Sequence, residues 1–159
     1  MTATASTVPT IYEALHDQLV VKLAGRGYEN SDVMITYGGE LVQSPWDHVV
    51  LGNVNDGVMD WAHLSAGRKK RTEDYHIMIG FHAVRPGGSA RDSMEAAYAN
   101  FAILDGIIAD NPDLGLDAVV NPTLVVAVVE FKHQLIMDES SRGWRCHLDV
   151  KLNVNVRLS

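Results

Sequence analysis

The sequence predicts an α+β domain: a mixed, mainly antiparallel sheet of about five strands with two main helices packed against it. Three observations carry this. Two stretches repeat apolar residues at helical spacing, five others alternate or run apolar as strands do, and most connections between them are short. At 159 residues, 47% hydrophobic and 21% charged, the chain suits one core without a disulfide or metal to hold it. Residues 1–8 read as a flexible N-terminal arm and residues 9–159 as a single domain.

Residues 9–24 form the first predicted helix, with Thr7 as N-cap, Pro9 in the first turn and Ile11, Leu15, Leu19 and Leu23 on one side. Gly25 and Gly27 stop it. Short strands follow at 32–37 and 48–51, and residues 53–72 read as mostly loop, rich in Gly and Asn and holding Trp61. From 73 to 84 the alternation is clean: Tyr75, Ile77, Ile79 and Phe81 face one way, and His76, Met78, Gly80 and His82 the other. After Pro86-Gly87-Gly88, Ser89 or Asp92 caps a second helix with Met94, Ala97, Tyr98, Phe101, Leu104 and Ile108 on its core side. Asn111-Pro112 ends it.

The strand at 123–135 begins apolar on both faces, with Leu124, Val126 and Val128 on one and Val125, Ala127, Val129 and Phe131 on the other. A strand apolar on both faces is covered on both. In a domain this small the second cover is expected from another subunit, which makes Leu124, Val126 and Val128 candidate interface residues. Last, Trp144, Cys146, Leu148, Val150, Leu152, Val154, Val156 and Leu158 alternate with polar neighbours. That run would extend for about 50 Å at ~3.3 Å per residue, so it is expected to bend, bulge or outreach its own domain.

The formal net charge of −7 argues against a protein that grips nucleic acid through its phosphates. The lone cysteine, Cys146, fits a reducing compartment. No run of about 18 apolar residues exists to span a membrane, and the N-terminus lacks the basic start and apolar core of a secretion signal. The seven histidines include no H-x-H or H-x-x-x-H pair. His76 and His82 share a strand face about 20 Å apart and read as solvated. No P-loop, G-x-S-x-G or G-x-G-x-x-G occurs. Gly87-Gly88-Ser89 reads as a capped turn before an anion site, Glu73 and Asp74 point to opposite faces, and Cys146 sits on an apolar strand face. The reading is therefore of a structural protein, with no catalytic, cofactor or metal residue assigned. One charged feature stands above background: Arg68, Lys69, Lys70 and Arg71, either a contact for DNA or an acidic partner, or a solvated loop.

The order of pieces also resembles a known family. The helix ending in glycine is followed by Val49-Val50-Leu51-Gly52, by Asp60-Trp61 and by Gly67-Arg68. Next come the strand Glu73-Asp74-Tyr75-His76-Ile77-Met78-Ile79, Pro86-Gly87 and the alanine-rich helix at 93–108. Asp110-Asn111-Pro112-Asp113-Leu114-Gly115 and the closing Val154-Asn155-Val156-Arg157-Leu158 complete it. In this order and spacing the chain resembles the tail terminator proteins of long-tailed bacteriophages, also known as minor tail or tail completion proteins. Asn111, between Asp110 and Pro112, departs from the tighter Asp-Pro pair common there.

The resemblance implies a homo-oligomeric ring, typically of six, at the head-proximal end of the virion tail, assembled in the host cytoplasm. Such a ring halts polymerisation of the tail tube protein and then meets the head completion (connector) proteins. DNA passes through its lumen without sequence-specific binding. The alternatives are another head–tail joining or tail tube ring protein, a small intracellular enzyme with a cleft under the 53–72 loop, or a module binding an acidic partner through residues 68–71.

Overall fold

The computed structural model describes residues 6–38, 46–62, 70–116, 122–138 and 143–158. Helix α1 (Val8–Leu23) precedes strands β1 (Met34–Tyr37), β2 (Asp47–Ala62) and β3 (Lys70–Val84). Helix α2 (Ala90–Asp110) and strands β4 (Pro122–Asp138) and β5 (Gly143–Leu158) follow. The five strands make one sheet in the order β1-β2-β3-β5-β4, with β1 parallel to β2 and the other pairs antiparallel. The fold is α+β, as the sequence predicts. Among the described residues no helix is long and apolar enough to cross a membrane.

Both helices feed one core. On α1, Ile11, Leu15, Leu19 and Leu23 are fully buried, and Gly25 at φ +66 turns the chain away. Helix α2 starts on a capping box: Ser89 Oγ accepts from the Asp92 N–H, and the Asp92 carboxylate accepts from the Ser89 N–H at 2.7 Å. Small residues bring α2 close to the sheet, with Ala97 and Ser93 fully buried and Ser93 Oγ donating to the Trp144 carbonyl at 2.5 Å. Beneath lie Tyr75, Ile77, Ile79, Phe81 and Ala83 of β3 and the apolar row of β5.

Three expectations change. The C-terminal strand does not outreach the domain; it is interior, paired with β3 from Arg71↔Leu158 to Val84↔Arg145 and with β4 from Pro122↔Leu158 to Asp138↔Gly143. Two equally long neighbours absorb its length.

Residues 53–72 are mostly strand. Irregularities between Leu51 and Val54 and between Asn55 and Val58 take up the Gly- and Asn-rich residues, so β2 continues beside β3 to Ala62↔Lys70. At the first of these a Cβ on Gly52 would lie 2.7 Å from the Met78 carbonyl oxygen, so glycine is needed for the close approach. The third change concerns Thr7. It makes no side-chain cap, and its N–H and hydroxyl both donate to the buried carboxylate of Glu73, at 2.9 and 2.5 Å. The expected arm is thus already part of the fold at Thr7, while residues 1–5 lie outside the described residues.

A buried ion pair ties the sheet's other end. The Arg85 guanidinium donates two bonds to Asp47, each 3.1 Å, and the Tyr28 N–H donates to the same carboxylate at 2.7 Å. Removing the acceptor leaves three donors without it, two of them on a cation. Asp47→Ala is therefore expected to lower the unfolding free energy by about 3 kcal/mol in urea denaturation; a loss under about 1 kcal/mol would show that the pair behaves as a surface contact.

Candidate functional site

Strand β4 lies at an edge of the sheet, and its register changes phase part-way along. Leu124, Val126 and Val128 pair with Val156, Val154 and Leu152, on the helix-covered face. Val129 is then an extra residue, because Val128 pairs with Leu152 and Glu130 with Lys151. This bulge reverses the phase. Beyond it Phe131, His133, Leu135 and Met137 take the helix side, and Glu130, Lys132, Gln134 and Ile136 the open side. Ahead of the bulge both faces are apolar, as the sequence predicts, with Val125 and Ala127 on the open side opposite Asn155 and Asn153. The bulge moves Phe131 from the expected Val125 side to the helix side.

The interface candidates are corrected accordingly. Leu124 and Val126 are 5% and 2% exposed in the chain's own core, and Val128 packs against it, so none of the three forms an uncovered face. What stands exposed on β4 is Val125, Val129, Phe131, Leu135, Ile136 and Met137, with Val129 and Phe131 each 54% exposed. Beyond the bulge, aromatic rings of helix α2 meet this edge. Phe131 lies 5.7 Å from Phe101 and 6.2 Å from Tyr98, and the Tyr98 hydroxyl is 2.8 Å from His133 Nδ1.

At the opposite edge, Tyr37 of β1 leans on α1. Its ring stacks on His16 at 4.9 Å and sits 6.4 Å from Tyr12, whose hydroxyl donates to the Gly52 carbonyl. Val8, Pro9, Tyr12, Glu13, Tyr37, Gly52, Asn53 and Val54 line an open groove here.

The helix-free face of the sheet is polar. Its most ordered feature is a row of three histidines brought into register by pairing: His48 of β2 opposite His82 of β3, and His82 opposite His147 of β5. The His82 and His147 rings stack at 4.2 Å, the His48 ring meets His82 edge-on at 5.9 Å, and His48 Nε2 lies 2.8 Å from Thr36 Oγ1. A Cβ at position 80 would fall 2.9 Å from His82 Nε2, so Gly80 makes room for the ring. Burial, then the charges of His147, His48 and Arg145, pushes His82 down to about 4; burial also lowers His48 and His147. Beyond the row, Met78, Glu130, Lys132, Asp149 and Lys151 line a depression of mixed charge.

Sequence spacing could not find the histidine row, because its members lie on three strands that only pairing aligns. Among the described residues no group of three or more His, Cys, Asp or Glu side chains is arranged to hold a metal ion.

No protein-family model matches this chain, and no curated protein does either.

The remaining sequence candidates scatter. Arg68 and Lys69 of the basic run lie outside the described residues, whereas Lys70 and Arg71 open β3 opposite Ala62 and Trp61. Half of the expected basic loop is thus strand. Glu73 is buried and Asp74 is exposed on the opposite face, as alternation requires. Cys146 is buried, and its burial raises the thiol.

The histidine row fixes a pH dependence. Above pH 6.5 His82 is neutral whether folded or unfolded, and its shift costs nothing. As pH falls from 6.5 towards 4, the unfolded chain takes the proton while the folded chain resists it, so stability falls. Allowing for solvent screening, His82 contributes about 2 kcal/mol to that loss. His82→Asn should flatten the melting-temperature profile across this window; an unchanged slope would show that His82 titrates normally when folded.

Proposed function

We propose that this chain is a structural ring subunit of the tail-terminator kind. It closes the head-proximal end of a phage tail tube and offers a docking surface to the head completion proteins. One observation carries the assembly part of this reading: the 17-residue strand β4 is an edge strand, long and studded with exposed apolar side chains. Proteins that stay single blunt such edges with charge, proline, short length or a covering loop, because unpaired backbone N–H and C=O groups invite another chain. Here the turn after α2 covers one position, where the Val126 N–H donates to the Pro112 carbonyl at 2.8 Å. Only Glu130 and Lys132 charge the run from Leu124 to Met137. The order of sequence pieces supplies the rest, including the hexameric ring and its partners.

The polar face suits a wall that DNA passes without being held. Arg145, Asp149, Lys151 and Arg157 mix their signs there, and His48, His82 and His147 are kept neutral. On a chain of net charge −7 such a wall offers phosphates little to grip.

The test is assembly with and without purified tail tube protein, followed by mass measurement and electron microscopy. Rings on tube ends and tubes of limited length are the expected outcome; tubes that grow indefinitely in its presence would exclude the terminator role. Val129→Asp should leave the fold intact and weaken each subunit contact roughly 30-fold or more. Val126→Asp, placed in the core, should instead unfold the chain.

A further inference from the structure

We infer that the partner for the β4 edge is the β1 edge of a second copy of this chain, so that one sheet continues from subunit to subunit. The inference rests on the ring reading and goes further by naming both halves of the contact.

A ring cannot be closed by β4 meeting β4. That contact is two-fold and stops at a dimer, whereas a ring needs two different surfaces that fit each other. The strand order puts β4 at one end of the sheet and β1 at the other. The large apolar side chains exposed among the described residues fall at the same two places. Six of the ten lie on β4, two on β1 (Met34, Tyr37) and two on the neighbouring α1 (Val20, Val21).

The faces agree as well. Tyr37 leans on α1, on the helix side of the sheet, and Phe131 and His133 lie on the helix side of β4. A continuous sheet keeps its sides, so the aromatic rings of the two edges would meet on one side. The exposed carboxylates of Glu13 and Asp17 flank Tyr37; burial first, and then these two charges, holds its phenol above 10. On β4, His133 shares that side with Phe131, its Nδ1 held 2.8 Å from the Tyr98 hydroxyl, while Lys132 points to the opposite face.

Complementation between two single-edge variants tests this. Val129→Asp disables β4, and Tyr37→Asp disables β1 by adding a third carboxylate beside Glu13 and Asp17. Each variant alone should be a folded monomer, as judged by circular dichroism and mass. Mixed one to one, they should form a dimer and nothing larger, because one good β4–β1 contact remains per pair. If Tyr37→Asp still forms rings, or the mixture stays monomeric while wild type assembles, the pairing is wrong and the ring reading survives. Wild-type chains that remain monomeric even with tube protein overturn both.

If either aspartate variant unfolds, Tyr37→Cys and Val129→Cys chains joined by a short bis-maleimide replace it. The buried Cys146 does not compete. Cross-linked dimers from the mixture support the pairing; their absence where wild type forms rings overturns it.

Discussion

The structure depends on the burial of one side of β5 beneath two helices. Cys146, Leu148, Val150, Leu152, Val154 and Val156 are all 0% exposed, and the large side chains among them contribute about 1.5–3 kcal/mol each relative to exposure. To bury a row that long, the strand needs neighbours of equal length, β3 and β4. Helix α2 then lies mainly over β3 and β5 and α1 towards β1, which leaves the outer part of β4 beyond their reach. The uncovered edge follows from the same geometry that makes the core.

Much of this architecture was legible because periodicity reports burial directly. Alternation on β3 and β5 and the four-residue repeat on α1 each identify a face, and those faces are the buried ones. What stayed hidden depended on residues far apart in the chain. Glycines and asparagines at 52–57 look like a strand's end, yet a paired neighbour lets β2 bulge and continue. On β4, the extra residue Val129 shifts alternation by one, so Leu124 and Val126 belong to the core while Phe131 and Leu135 face the helix side at the edge. An unmarked phase change puts Phe131 on the face opposite the one that alternation from Val125 predicts. No local pattern announces that Val129 is unpaired.

The polar side chains show the same dependence on pairing. His48, His82 and His147 are 34 and 65 residues apart along the chain and become neighbours only because β2, β3 and β5 are adjacent. The Thr7–Glu73 and Arg85–Asp47 contacts likewise join distant segments, and each supplies hydrogen-bond donors to a buried carboxylate whose burial would otherwise oppose folding. These contacts fasten the two ends of the sheet. The proposed ring contact on β4 would thus be built on a sheet fastened at both ends.

Hydrogen exchange most directly tests whether β4 is the assembling edge. It should be measured on the free chain and on the chain assembled at tube ends. The account predicts that amides at 122–138 with no partner in the free chain become protected on assembly. Those at 143–158, already paired on both sides, should change little. Unaltered exchange throughout β4 in the assembled state would contradict it.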